Sequence, residues 1–196
     1  MNTFKIIESL QNKGVQFTET EKILICESFQ AVNLKKNDFL IRQGEIEQSL
    51  YYIEKGAVRY WFENDKAEEI TFWFSFEEEF CNAYVSMIKH QACEFNIQAL
   101  EDLSAWKIDN KVIECLYNES LATNISARII LEDVFVQKLN REMFMLKYKP
   151  KDRYLILMEH YAEKLHRIPL KYLASYLGIT PQSLSRIRKN IYHKKV

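Results

Sequence analysis

The sequence predicts an α+β chain in three consecutive parts: short antiparallel strands closing as a sandwich or roll, one long helix, and a small cationic domain built on a helix-turn-helix. Three observations carry this expectation. Segments rich in β-branched and aromatic residues (FLIR, SLYYIE, AVRYWF, EEITFWF) recur between Asp38 and Phe76, with turn-forming residues between them. From Asn110 to Lys149 no glycine or proline interrupts an apolar pattern of helical period. The charge, which sums to zero over 196 residues, is split unevenly along the chain.

Length and composition bound the answer. A chain of this length can bury one large core or a medium and a small one, and two domains is the expectation. With 47% apolar and 28% charged residues the composition is that of a soluble globular protein. No apolar run approaches the ~18 residues that a membrane span needs. The N-terminal MNTFKIIESLQNKG lacks the uninterrupted apolar stretch of a secretory signal, so a cytoplasmic protein with no membrane partner is expected. Cys26, Cys81, Cys93 and Cys115 form no CxxC pair. This spacing speaks against zinc or iron–sulfur sites and for buried, reduced thiols.

The strand segments are separated by RQGE, KG and ENDKA, and Asn64 with Asp65 reads as a hairpin turn. FNIQAL and SAWKID form a second strand set, joined at Glu101 and Asp102 by what reads as another tight turn. The stretch from Glu77 to Cys93 reads as a loop and a short helix. Only four glycines occur: Gly14 near an N-terminal helix, Gly44 and Gly56 between strands, and Gly178 near the end.

Asp109 stands where an N-cap would start a short helix, NKVIECLYN, and a long helix is expected from about Ser120 to Lys147. Leu121, Ile125, Ile129, Ile130, Val134, Phe135, Leu139, Met143 and Leu146 cover two broad faces of it rather than one stripe. One face fits the strand domain and the other fits a second copy of the chain; a helix sunk in its own core is the competing account. Pro150 disfavours helix at the residue before it and sets a boundary near Lys147 to Lys149. The expected divisions are a strand domain over 1–118, the long helix over 119–147 and the cationic domain over 148–196.

From Leu146 to Val196 there are twelve Lys/Arg against three Asp/Glu, leaving fifteen against twenty-four in the preceding residues. Such a split points to one segment that meets a polyanion. Within it, Leu170 to Ile187 reads LKYLASYLGITPQSLSRI. A helix-turn-helix needs apolar residues where two helices cross, a small residue where their backbones approach, and a turn residue tolerant of positive φ. Leu173, Leu177, Ile179, Leu184 and Ile187 supply the first, Ala174 the second and Gly178 the third. Thr180 stands as N-cap and Pro181 at the first helical position. Gln182, Ser183, Ser185, Arg186 and Lys189 then remain outside. Gln can pair with adenine, Arg with guanine, and Ser with bases or phosphates. The candidate DNA-binding residues are therefore Thr180, Gln182, Ser183, Ser185, Arg186 and Lys189.

On LIRQGEIEQSLYYIEKGAVRYWF, the long helix and LASYLGITPQSLSRIRKN, the chain resembles the cyclic-AMP receptor and fumarate-nitrate reductase regulator (CRP/FNR) family of bacterial transcription factors. The resemblance implies an N-terminal β-roll of the cyclic-nucleotide-binding type, a double-stranded β-helix that serves as effector domain. It also implies a parallel dimerisation helix and a C-terminal winged-helix-like domain that binds a palindromic DNA operator as a homodimer. RNA polymerase and an unidentified small-molecule effector are further partners that it suggests. By position, Gln182, Ser185 and Arg186 match the family's base-reading residues, with Ser183 and Lys189 beside them. Arg42, Gly44 and Glu45 match the roll's RxGE turn and Gly56 its second turn glycine, all expected to be structural.

The effector pocket departs from the family pattern. Where members that bind cyclic AMP carry Gly-Glu and later Arg-Ser, this sequence has Cys81–Asn82 and Cys93–Glu94. A glutamate against a phosphate would be repelled in a partly buried site, so the pocket near Asn82, Cys93 and Glu94 is expected not to take cyclic AMP or cyclic GMP. The N-terminal cysteine cluster or haem ligand of the redox-sensing branch is not evident either. A cupin-type enzyme would need two or three histidines in the roll, where only His90 falls; His160, His166 and His193 lie in the cationic domain. No catalytic residue, metal or cofactor is expected. The remaining alternative is a ligand-binding or protein-interaction module that does not bind DNA. The short LHRIP connection and the few residues after Ile187 leave room for at most a rudimentary wing.

Overall fold

A computed structural model describes residues 3–192; His193 and the residues after it lie outside them. Two N-terminal helices, α1 (Phe4–Asn12) and α2 (Glu19–Ser28), precede eight strands: β1 (Gln30–Leu34), β2 (Phe39–Ile41), β3 (Ser49–Lys55), β4 (Val58–Glu63), β5 (Glu69–Ser75), β6 (Phe80–Cys81), β7 (Asn96–Ala99) and β8 (Leu103–Asp109). The short helix α3 (Tyr84–Lys89) lies between β6 and β7. After β8 the chain is helical: α4 (Asn110–Glu119), α5 (Leu121–Lys147), α6 (Pro150–His166), α7 (Leu170–Tyr176) and α8 (Pro181–Tyr192). The order is that of an α+β protein.

The strands form two four-stranded sheets, ordered β1-β8-β3-β6 and β2-β7-β4-β5. The pairings of β1 with β8, β3 with β8, β3 with β6 and β2 with β7 are antiparallel. Apart from β4 and β5, which neighbour each other as a hairpin, consecutive strands alternate between the sheets, as in a roll. The expected tight turn between FNIQAL and SAWKID is therefore a link between sheets: β7 and β8 do not pair with each other. Asp102 in this link accepts bonds from Lys36 N and Lys35 Nζ, which tie the link to the β1–β2 loop. The other expected turn, Asn64 with Asp65, is a five-residue loop, closed by Asn64 N donating to Glu68 O, with Ala67 at φ 56°. Asn64 Oδ1 accepts from the Lys66 and Glu68 amides, so the asparagine organises a longer loop than a two-residue turn.

Gly56, between β3 and β4, has φ 103°, and a Cβ there would lie 2.8 Å from Asp102 O. Only glycine fits this crossing. At the RxGE turn, Glu45 accepts from Arg42 N, Gly44 N donates to Cys93 O, and Cys93 N donates to Glu45 O. The Arg42 guanidinium stacks on the Phe39 ring at 3.7 Å.

The core beside the roll joins Ile6, Ile7 and Leu10 of α1, Ile25 of α2, Tyr52 and Ile108 of the strands, Ile113 and Leu116 of α4, and Ala122 of α5. Ile125, Ile129 and Ile130 pack against it, which accounts for one apolar face of the long helix. Ser120 caps that helix, its hydroxyl accepting from Thr123 N. Asp109 precedes α4 as expected but does not cap it with its side chain, because its carboxylate takes the Ser49 hydroxyl and the Lys107 ammonium instead. Not every cysteine is buried: Cys81 and Cys93 are, Cys26 is half-buried and Cys115 is exposed on α4. α4 turns its other face to the core through Ile113 and Leu116.

The chain forms two compact units. One comprises residues 1–60 and 74–135; the other comprises 61–73 and 136–196, so the tip of the β4–β5 hairpin groups with the C-terminal helices. In the second unit α6 starts with Pro150 at a position where a missing amide proton does no harm, and it bends at Tyr161, whose φ/ψ of −137/26 is not helical. The winged-helix expectation needs correction: among the described residues no strand follows β8. The connection Arg167–Pro169 is a turn in which Arg167 N bonds back to Lys164 O and Ile168 N to Leu165 O, so it contributes no wing strand.

Candidate nucleic-acid interface

Helix α7 ends in a tight, fully bonded turn. Ile179 N donates to Ala174 O and Gly178 N to Ser175 O, with Gly178 left-handed at φ 70°. This pairing of bonds satisfies the orphan carbonyls of the helix end. The chain then re-enters helix at once: Thr180 Oγ1 accepts from Ser183 N at 3.2 Å, and Pro181 opens α8. Leu173, Ala174 and Leu177 on the first helix and Leu184 on the second are fully buried, and Tyr154, Leu165 and Ile168 of this unit are nearly so.

Because Leu184 faces inward, residues on the opposite side of α8 face out. Gln182, Ser185, Arg186 and Lys189 are exposed, as is Thr180. Ser183 is half-buried, and its hydroxyl accepts from the Thr180 hydroxyl at 3.0 Å, which commits it to the helix start. Arg188 is half-buried with its guanidinium 5.5 Å from the Tyr154 ring centre. A face carrying an amide, a hydroxyl, a guanidinium and an ammonium can hydrogen-bond base edges and neutralise phosphates.

Two arginines that sequence reasoning did not single out hold the α7–α8 pair in place. Arg153 donates from Nη1 to Leu177 O, from Nη2 to Met145 O and from Nε to Tyr148 O, all at 2.7–2.8 Å. One guanidinium thus satisfies carbonyls at the ends of α5 and α7. Arg141 donates to Tyr176 O at 2.6 Å and stacks on the Tyr176 ring at 4.2 Å. Burial pulls the Arg141 guanidinium below its ordinary range and lifts the Tyr176 phenol above its own. Arginine is the residue for such work because its donors form a rigid fork. In the sequence Arg153 looked like one more cation of the basic segment, and Arg141 lies just before that segment.

In the roll, Cys93 and Asn82, expected at a degenerate effector pocket, make local contacts. Cys93 Sγ donates to Phe95 O, Asn82 Nδ2 contacts Met87 Sδ at 3.3 Å, and Glu94 is exposed. Nearby, Glu47 is buried and accepts from the Gln48, Ser49 and Ala83 amides; burial raises its carboxyl above the usual range, against those bonds. Arg59, 2% exposed, directs Nε and Nη2 to Gln98 Oε1. No group of three or more His, Cys, Asp or Glu side chains able to hold a metal occurs among the described residues. No helix among them is long and apolar enough to cross a membrane.

Comparison with known proteins bears directly on this two-part arrangement. Residues 31–120 match the family model of the cyclic nucleotide-binding domain. FixK2 from Bradyrhizobium japonicum superposes with a TM-score of 0.75 at 11% identity, over 86% of each chain. The c-di-GMP-responsive global regulator CLP from Xanthomonas campestris gives 0.73 at 14% identity, over 91% of this chain and 93% of that one. This is the fold of the CRP/FNR regulators. A CooA variant from Carboxydothermus hydrogenoformans adds a TM-score of 0.69 at 15% identity, over 93% of this chain and 84% of that one. No curated protein sequence matches the chain. At these identities the likeness is one of CRP/FNR architecture, and the side chains above must speak for the chemistry.

Proposed function

We propose that the chain is a sequence-specific DNA-binding transcription regulator that acts as a homodimer and responds to neither cyclic AMP nor cyclic GMP. In this reading residues 1–118 are the effector-like part, 119–147 the dimerisation helix and 148–196 the DNA-binding part. Helices α7 and α8 are its helix-turn-helix. The observation that carries it is the sidedness of α8: Leu184 is fully buried while Gln182, Ser185, Arg186 and Lys189 stand exposed, with the helix start fixed by Thr180. Gln182 and Arg186 are the base readers, and Ser185 and Lys189 address bases or phosphates beside them. Thr180 and Ser183 set the start of the helix.

The dimer reading rests on α5. Leu121, Leu131, Phe135, Leu139, Met143 and Leu146 are exposed along it, with Leu121 and Leu146 both at 76%. Burying each such side chain in a partner is worth ~1.5–3 kcal/mol before the costs of association are subtracted. A pair of chains would present two α8 helices to half-sites about one DNA turn, ~34 Å, apart. Against cyclic nucleotides stands the exposed carboxylate of Glu94 where a phosphate-binding hydroxyl would be needed. Calorimetric binding of cyclic AMP at micromolar concentration would refute that part. The chain is a regulator rather than an enzyme, with RNA polymerase and an unidentified effector as further candidate partners and the cytoplasm as its place of action.

Selection of bound DNA from a random library tests the whole. A palindrome is expected, with affinity falling steeply as salt rises. Recovery of no sequence, or binding indifferent to salt, would overturn the DNA reading in favour of a protein-interaction module.

A further inference from the structure

Strand β5 lies at the edge of its sheet, so every second residue points its amide and carbonyl away from the neighbouring strand. Thr71 and Glu69 are two such residues, and a single side chain meets both. Ser175 Oγ accepts from Thr71 N at 2.9 Å and donates to Glu69 O at 3.2 Å. A hydroxyl is both donor and acceptor, so this serine supplies what a paired strand would supply there. It does so from α7, the first helix of the α7–α8 pair. Thr71 itself is buried, while Glu69 is exposed.

The same hairpin is gripped from α5. The Lys138 ammonium lies 4.2 Å from the Trp73 ring centre and 5.4 Å from that of Phe72. Arg141, one turn further on, holds the ring and carbonyl of Tyr176, the neighbour of Ser175. Helix α7 is thereby held on one side by the hairpin and on another by α5, while the exposed face of α8 stays uncovered.

We infer that Ser175 is a positioning residue for DNA recognition. By docking α7 on the open edge of β5 it fixes the orientation in which α8 is presented, and so sets which half-site spacing a dimer accepts. The inference rests on the DNA reading above. Ser175 touches no nucleic acid in this role; it acts through α7.

Two variants test it. Ser175→Ala removes both bonds while leaving a good helix former in place. Ser175→Thr keeps the hydroxyl. Hydrogen exchange of the Thr71 amide is measured first: it should quicken about tenfold or more in the alanine variant and stay near wild type in the threonine variant. Operators recovered by selection are then compared with versions carrying one base pair more or less between half-sites, alongside a single half-site. The alanine variant should lose about tenfold in its discrimination between spacings, with half-site affinity unchanged and discrimination restored by threonine. Faster Thr71 exchange with an unaltered spacing profile would overturn the positioning role. Unchanged Thr71 exchange would overturn the contact itself. Wild-type protein that binds no DNA would instead remove the function on which the role depends, and the exchange data would still report on the docking.

Discussion

Arg153 and Leu177 are joined by a 2.7 Å hydrogen bond from guanidinium to carbonyl, and the same guanidinium reaches Met145 and Tyr148. The bond links the last turn of α7 to a residue one turn into α6, next to the end of α5. Charge-assisted bonds of this kind are strong, and their loss leaves carbonyls without partners. Arg153→Ala should destabilise the C-terminal unit by about 2–4 kcal/mol, and Arg153→Lys should recover little of it, because an ammonium cannot span three acceptors. Chemical denaturation monitored on that unit checks both; an alanine variant as stable as wild type would remove the bracing role.

Gly178 carries the turn between the two helices at φ 70°, and a Cβ there would lie 3.2 Å from Met145 Cε. Gly178→Ala should cost about 1–2 kcal/mol from backbone strain alone. The comparison of denaturation midpoints with wild type gives the answer.

Arg186 has an exposed guanidinium on the outer face of α8. Arg186→Ala should weaken operator binding by roughly 1–3 kcal/mol and relax preference at one base pair, leaving thermal stability unchanged. Binding measured against a panel of single-base operator variants decides it. Unaltered affinity and preference would take Arg186 out of the reading set.

Phe135 and Leu139 are 64% and 46% exposed on α5. A glutamate at both should leave the single chain folded, yet weaken self-association at least about tenfold, as read by sedimentation equilibrium. A chain that remains dimeric in this double variant would place the seam elsewhere.

Glu21 accepts hydrogen bonds from the Ser120 hydroxyl at 2.5 Å and from the Thr18 amide, and these hold its carboxyl below its ordinary value of 4.5. A depressed carboxyl stabilises the folded state above the unfolded value, and that contribution fades as pH falls through the folded one. Ser120→Ala should therefore lose about 1 kcal/mol or less near neutrality through Glu21, given the exposure of the site, on top of about 1 kcal/mol for the lost cap of α5. The gap should narrow as pH falls below 4.5 and through the lowered folded value, leaving the pH-independent loss of the Ser120 cap on α5. Stability curves at several pH values test the sign; a gap that widens in acid would contradict it.

Much of the architecture was legible because local chemistry and final structure agree. β-Branched and aromatic runs became strands, the change of period after Asp109 became helices, and Thr180, Pro181 and Gly178 took the backbone roles their chemistry suits. What was not legible depends on partners distant in sequence. The link at Glu101–Asp102 reads locally as a hairpin, but sheet membership is set by pairing with β1 and β2. Asp109 suits an N-cap, yet Ser49, sixty residues earlier, takes its carboxylate. Among the residues around the candidate interface, Ser175 gave no signal: a serine inside a short helix looks solvated until the edge of β5 is known to lie beside it. Arg141 and Arg153 were hidden likewise, since a count of charge does not separate a cation that meets phosphate from one that closes helix ends.

The oily row along α5 has a consequence for gene dosage. With that row as the joining surface, the paired fraction of chains is governed by mass action, so a cell making half as many copies loses more than half of its complete regulators at low abundance. On the proposed regulator reading, synthesis and turnover of the polypeptide would then tune target genes even with no small molecule present.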